Sequence, residues 1–293
     1  MLNFYEHVKA NPELLRQFSC RNVLFLINEC PPEFKKGEMW AEHNAFVYVI
    51  SGRHNLYSHD RVWLLQTGST AFVKKGSVGV ERVDDDMYCA LMFYVPDEYI
   101  RSFTKENAAL FPPVDLSLVS EEKVLPVQTS AVMEAFYQSV LPYFSMSEQP
   151  PENLIELKFK ELLINIISIR NNAELTSYFY KLSMSAAVDL KEVMENNCLF
   201  NLQLHEYARL CHRSLSTFKR DFYTLYGTPP GRWLLNKRLE AATVFLKNSD
   251  KPVSDVVECG FKNLPHFSKV FKQRFGLSPL QYRKQQSMFT VSS

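Results

Sequence analysis

LSTFKRDFYTLYG (Leu215–Gly227) and LPHFSKVFKQRFG (Leu264–Gly276) are two versions of one phrase. Both keep Leu-x-x-Phe-x-[Arg/Lys]-x-Phe and close on an aromatic residue and a glycine. The spacing predicts a helix with one apolar stripe in each. Leu215, Phe218, Phe222, Leu225 and Tyr226 form the first stripe, and Leu264, Phe267, Val270, Phe271 and Phe275 the second. Ser214 and Asn263 are placed to cap these helices. Pro265 stands in a first turn, where its missing N–H costs nothing. Gly227 can take the positive φ of a helix end.

Each phrase follows a second short helical stretch. Leu204, Tyr207, Ala208 and Cys211 share one face ahead of a turn at His212–Arg213. Val253, Val256 and Val257 are expected to face inward ahead of a turn at Gly260, with Ser254 and Asp255 opening that helix. Helix, tight turn, helix is the helix-turn-helix unit, whose second helix enters the major groove of DNA. Duplication of the unit implies a tandem reader. Between the copies, Pro229–Lys247 reads as one helix carrying Trp233, Leu234, Leu239, Ala242, Phe245 and Leu246. At 1.5 Å per residue it spans about 28 Å, near the ~34 Å between successive major-groove faces. Helices 214–226 and 264–275 are therefore expected to read two successive major grooves of double-stranded DNA.

The polar ridges opposite the stripes supply the candidate contacts. In the first helix these are Ser216, Thr217 and Arg220, with Lys219 on the flank; in the second they are Pro265, His266, Lys269, Lys272 and Gln273. Arg220 carries the bidentate fork suited to guanine, whereas Ser216 is short and can meet base or phosphate. Arg232, Lys262, Asn263 and Lys272 are assigned to phosphates, which set register rather than sequence. The phenylalanines of the stripes are read as core, not as platforms for single strands. Arg274 falls near the apolar side and is expected to snorkel or to pair.

Charge supports this division. From Lys181 onward there are 17 Lys and Arg against 9 Asp and Glu, leaving 16 basic and 23 acidic residues ahead of it. A basic final third behind an acidic front suits a polyanionic partner, although the whole chain is close to neutral at +1.

The phrase DVVECGFKNLPHFSKVFKQRFGLSPLQYRK resembles the second-unit signature of the AraC/XylS family of bacterial transcription regulators, with GF, Phe-x-Lys-x-Phe, FG, Pro and YR in place. The resemblance covers residues 183–285. It implies a regulator of transcription, an activator that touches RNA polymerase, with a β-barrel regulatory domain and a dimerising helical pair. By position it carries base-edge contacts onto Ser216, Lys219 and Arg220 in the first unit, and onto His266, Lys269 and Ser268 in the second. The family commonly has a polar pair where this chain has Leu264–Pro265, which implies weaker base reading there.

The front of the chain is β-rich. FVYVISG (Phe46–Gly52), RVWLLQTG (Arg61–Gly68), STAFVKKG (Ser69–Gly76), SVGVERV (Ser77–Val83) and YCALMFYV (Tyr88–Val95) read as strands punctuated by glycines and by an acidic turn at Asp84–Asp86. Short strands with frequent turn signals predict a sandwich or small barrel. The Gly-punctuated strands are similar to the cupin-like effector domains of the same family and to its type III secretion activators. Ala131–Phe144 and Leu154–Ile169 then show helical spacing, the latter started by Pro150–Pro151–Glu152, and 171–181 reads as a linker. The expected architecture is α+β: a β-barrel or cupin-like regulatory and dimerisation domain with flanking helices over 1–172, and an all-α domain with two helix-turn-helix units over 183–285.

No apolar run reaches the ~18 residues of a membrane span, and the N-terminus has no signal-peptide core. A cytoplasmic protein without membrane contact is expected. The six cysteines are scattered, without a C-x-x-C pair, and read as reduced buried thiols. Glu42–His43 and His54…His59–Asp60 lack the H-x-H of metal-binding cupins, so neither metal nor cofactor is expected. Trp40, Tyr48, Tyr57 and Trp63 read as core before pocket. A homodimer through 132–144 and 157–169 is expected. Two other readings stay open at this stage. One is a cupin-type metal enzyme with an accessory helical domain; the other is a regulator gated by a protein partner rather than a small molecule.

Overall fold

The structure, a computed structural model, describes the chain apart from residues 21, 31–32, 60, 84–86, 147, 185–187, 250 and 291–293 and the side chains of 286–290. The Asp84–Asp86 turn and Asp60 lie outside the described residues. Two compact units are present, Met1–Ala187 and Val188–Ser293.

The first unit holds β1 (Leu2–Asn3), β2 (Gln17–Cys20), β3 (Val23–Cys30), β4 (Lys36–Ala41), β5 (Asn44–Ser51), β6 (Arg53–Tyr57), β7 (Val62–Gln66), β8 (Thr70–Val73), β9 (Gly76–Arg82), β10 (Tyr88–Val95) and β11 (Val124–Val127). They form a five-stranded sheet, β1-β4-β9-β6-β7, and a six-stranded sheet, β11-β8-β5-β10-β3-β2. Pairing is antiparallel save for the two-residue parallel contact of β1 with β4. Alternation sorts the six-stranded sheet's residues between two cores. Leu24, Leu26, Val47, Val49 and Ala71 meet Leu56, Leu65, Val78 and Val80 of the other sheet. Phe25, Ile27, Phe46, Phe72 and Phe93 point the opposite way, into a helical layer.

That layer consists of α2 (Asp97–Glu106), α3 (Ala131–Val140), α4 (Glu152–Ser168) and α5 (Ala173–Met184), while α1 (Phe4–Ala10) packs beside β4. A sheet covered on both faces explains why VLFLI and AFVYVI are unbroken apolar runs rather than alternating ones. The stretch expected as a linker, 171–181, is a correction: Leu175, Tyr178 and Phe179 are buried in the helical layer. Its polar Asn171–Asn172 opening misleads because buried Asn172 is fully employed, accepting from Gln128 N–H and donating to the Gln128 and Ile166 carbonyls. The helix expected over 131–144 changes to a 3-10 turn at Leu141–Ser145, since Pro142 cannot donate into an α ladder. Strands β1 to β4, β6 and β11 and helices α1 and α2 are not individually named by the sequence reading.

The second unit is helical: α6 (Leu190–Asn197), α7 (Leu204–Leu210), α8 (Leu215–Tyr226), α9 (Pro230–Asn248), a 3-10 turn at Val253–Cys259, α10 (Leu264–Phe275) and α11 (Pro279–Thr290).

Candidate nucleic-acid interface

Local chemistry sets both reading helices. Ser214 Oγ accepts from the Thr217 N–H at 3.2 Å, and Asn263 Oδ1 accepts from the His266 N–H at 2.9 Å. Gly227 and Gly276 close the helices at φ 65° and 75°, donating to the Tyr223 and Lys272 carbonyls. The turns differ. Gly260 takes φ 87°, whereas in the first unit a non-glycine, His212, takes φ 52°. The helix before His212 is held by Glu206, whose buried carboxylate accepts from the Gln203 N–H at 2.6 Å. Before Gly260 the expected α-helix is a correction: Val253–Cys259 is a 3-10 turn preceded by Pro252, and Ser254 does not cap it. Seven residues between a proline and a left-handed glycine leave little room for an α ladder.

Packing repeats with the sequence. Phe222 sits 6.0 Å from Phe218, 4.5 Å from Tyr226 and 5.8 Å from Trp233. Phe271 sits 5.2 Å from Phe267, 4.5 Å from Phe275 and 5.3 Å from Tyr282. Helix α9 serves both clusters. Its first turn gives Trp233 to the first, and Leu239, Ala242 and Leu246 pack with Val256, Cys259, Phe267 and Phe271 of the second. Midway, Arg238 donates to the Cys198 and Phe200 carbonyls at 2.8 and 2.7 Å. A Cβ on Gly260 would stand 2.7 Å from both Arg238 Nε and the Leu199 oxygen. The connector is thus clamped at its centre to the loop ahead of α7 and to the turn ahead of α10. Sequence reasoning missed Arg238, although a cation at i+4 from Leu234 and i−4 from Ala242 is a legible anomaly in an apolar stripe.

The stripes are shorter than expected. Phe218, Phe222, Phe267 and Phe271 are buried, but Leu215, Leu225, Val257 and Phe275 are exposed. Burial needs a neighbour as well as a helix face, and the neighbours cover only the middle of each helix. Arg274 is exposed and needs no snorkelling.

Every candidate contact residue lies at the surface. Ser216, Lys219, Arg220, Arg232, Lys262, Asn263, His266, Lys269 and Lys272 are exposed, and Thr217 and Ser268 half-buried. Thr217 is partly engaged, because its Oγ1 accepts from Ser214 Oγ at 2.9 Å. Asn263 Oδ1 is occupied by its cap, so a further contact from this side chain would have to come from the amide nitrogen. Tyr223, exposed and three residues beyond Arg220, extends the first ridge and was not anticipated. Arg220 is 73% exposed, with Nε and Nη2 each 3.3 Å from Asp221 Oδ1. Burial pushes up the Tyr207 hydroxyl and the Cys198 thiol, and the Cys259 thiol to about 12. These groups stay neutral and structural.

In the first unit, His54 stacks on Tyr88 at 3.7 Å and His43 meets Tyr5 edge-on at 4.5 Å. Among the described residues no group of three or more His, Cys, Asp or Glu is placed to hold a metal ion. The six cysteines are free. The four aromatics of the front part company. Trp40 is buried against the cavity between the sheets, Trp63 packs at the edge of the core there, Tyr48 stacks on Tyr137 at 4.0 Å, and the Tyr57 ring lies where a Cβ on Gly79 would stand. A cavity of about 70 Å³ lies between the sheets, lined mostly by apolar residues with Trp40, His54 and Tyr88 among them. No helix among the described residues is long and apolar enough to cross a membrane.

Residues 44–178 match the ExsA N-terminal regulatory domain and 207–285 a helix-turn-helix domain. The chain is 25% identical over 237 residues to the virulence regulon transcriptional activator VirF of Yersinia enterocolitica, covering 80% of this chain and 87% of that one. It is 26% identical over 242 residues to the HTH-type transcriptional regulator ExsA of Pseudomonas aeruginosa, covering 81% and 85%. A crystal structure of apo ToxT from Vibrio cholerae aligns at TM-score 0.45 and 10% identity, over 90% of this chain and 97% of that one.

Proposed function

Because this chain belongs to the AraC family of DNA-binding transcription regulators, we propose that it activates transcription by laying α8 and α10 in two successive major grooves. The cupin-type enzyme is set aside, since the relatives that match over about four fifths of the chain are transcription regulators. Base contacts are assigned to Ser216, Thr217, Lys219 and Arg220 in one groove, and to His266, Ser268 and Lys269 in the next. Arg232, Lys262, Asn263 and Lys272 hold phosphates. One observation carries the reading: two matched aromatic clusters share a single connector helix, and each leaves its polar ridge in solvent. Such a rigid pair sets a fixed subsite spacing, because successive major-groove faces are about 34 Å apart.

The test is a binding site selected from random-sequence duplexes by the full chain. Two subsites one helical turn apart are expected, and inserting about half a turn, roughly 5 base pairs, between them should abolish specific binding. Unimpaired binding to the lengthened site overturns the two-groove reading.

The regulatory role, expected over 1–172, is assigned to the first unit, Met1–Ala187, and the reading role, expected over 183–285, to the second, Val188–Ser293. A homodimer is supported by Val132, Leu157 and Ile164, apolar and exposed on α3 and α4. Activation implies contact with RNA polymerase in the cytoplasm. An effector is assigned to the first unit, and thermal shift with small molecules against pull-down of a protein partner separates its two possible classes.

A further inference from the structure

Asp221 is the only carboxylate on either reading helix, and it sits directly after the arginine assigned to base reading. The matching position of α10 is Val270. An anion beside a residue assigned to DNA reading opposes the attraction to phosphates unless something balances it. Two arginines do. Arg220 Nε and Nη2 lie 3.3 Å from Oδ1, and Arg213 Nε lies 3.1 Å from Oδ2. The two arginines differ in freedom, the Arg213 side chain being 20% exposed and that of Arg220 73%.

Arg213 is anchored from several directions. Its backbone N–H donates to the Ala208 carbonyl at 2.9 Å, and Nη1 donates to the Val188 and Cys211 carbonyls at 3.1 and 3.2 Å. Val188 is the first residue of the second unit. The carboxylate is thereby fixed from behind by a guanidinium that cannot follow the DNA. Its other oxygen is turned to one that can.

We propose that Asp221, held by Arg213, is a positioning residue for Arg220. It orients the guanidinium towards a base edge and repels the phosphates that would otherwise capture it. The inference rests on Arg220 reading a base, as argued above. Its consequence is a gain in discrimination at a cost in general affinity, because the Asp221 charge cancels one positive charge that would otherwise attract the phosphates of any sequence. The second reader, with Lys269 and Lys272 and no carboxylate, lacks this filter.

The experiment uses the full chain and a duplex selected by it, with variants at each base of the site and a scrambled control. Asp221→Asn keeps the shape and removes the charge. It should tighten scrambled-duplex binding about three- to tenfold and steepen the slope of log affinity against log salt by about 0.9. The base preference at the Arg220 subsite should flatten. Asp221→Glu restores charge but moves it outward, so the wild-type slope should return while the preference at that subsite stays weakened. Thermal melts confirm that each variant is folded, and a purely structural Asp221 would lower the melting temperature without altering slope or preference.

Arg220→Ala is the control for the underlying reading. If it leaves every base preference intact, the face assignment fails and Asp221 has nothing to position. If Arg220→Ala erases one preference while Asp221→Asn and Asp221→Glu leave that preference intact, with or without a change in slope, the positioning role alone is overturned.

Discussion

The two readers share a core and differ in how each is braced and charged. In the first, a regular helix with a buried Glu206 cap leads through a strained His212 into α8, which carries two cations and one anion. In the second, a 3-10 turn leads through Gly260 into α10, which carries three cations and no anion. Phosphate attraction is sequence-independent, whereas an oriented arginine fork is not. On the proposed reading, discrimination falls mainly to α8 and general hold mainly to α10.

The largest expected effects test the shared core. Phe222→Ala and Phe271→Ala should each destabilise the second unit by about 3–5 kcal/mol, measured by denaturant unfolding. Each ring is fully buried among three other aromatic rings, so a difference between the two beyond about 2 kcal/mol would break the equivalence of the clusters. Next come the turns. Gly260→Ala meets both a left-handed φ and the Leu199 carbonyl, and should cost about 3 kcal/mol. Gly227→Ala has open space around it and should cost about 1 kcal/mol. Equal melting temperatures for the two alanine variants would show that the clamp at Gly260 carries no weight.

Smaller effects separate the ridges. Arg220→Ala should lose about 1–3 kcal/mol at one subsite only, whereas Lys272→Ala should weaken all sequences alike and flatten the salt slope by about one. Fluorescence anisotropy over a salt series reads both, and a swap of these behaviours would reverse the division of labour. At the small end, Ser214→Ala should cost about 1 kcal/mol through its lost N-cap. The loss is read by thermal denaturation, and no change in melting temperature would discount that cap.

Much of the reader was legible because its signals are local. A serine or asparagine before an apolar stripe, a proline in a first turn and a glycine after an aromatic residue act within a few residues of themselves. The front unit was legible as β-rich with flanking helices, but its details were not. β6 carries Arg53, His54 and Asn55 rather than an apolar run, β11 is four residues broken by Pro126, and α5 was hidden by polar Asn171 and Asn172, the second of which is buried and bonded to Gln128, far away in sequence.

The sequence by itself determined the two repeated helices α8 and α10, their Ser214 and Asn263 caps and closing glycines, and the surface position of every proposed contact residue, since each follows from backbone sterics and helical period. Only the tertiary structure decided which stripe residues are covered, how Arg238 clamps the connector, and that Arg213 and Arg220 converge on one carboxylate. Those outcomes depend on carbonyls and side chains brought together from distant parts of the chain, and no local pattern encodes which partner a charged group will find.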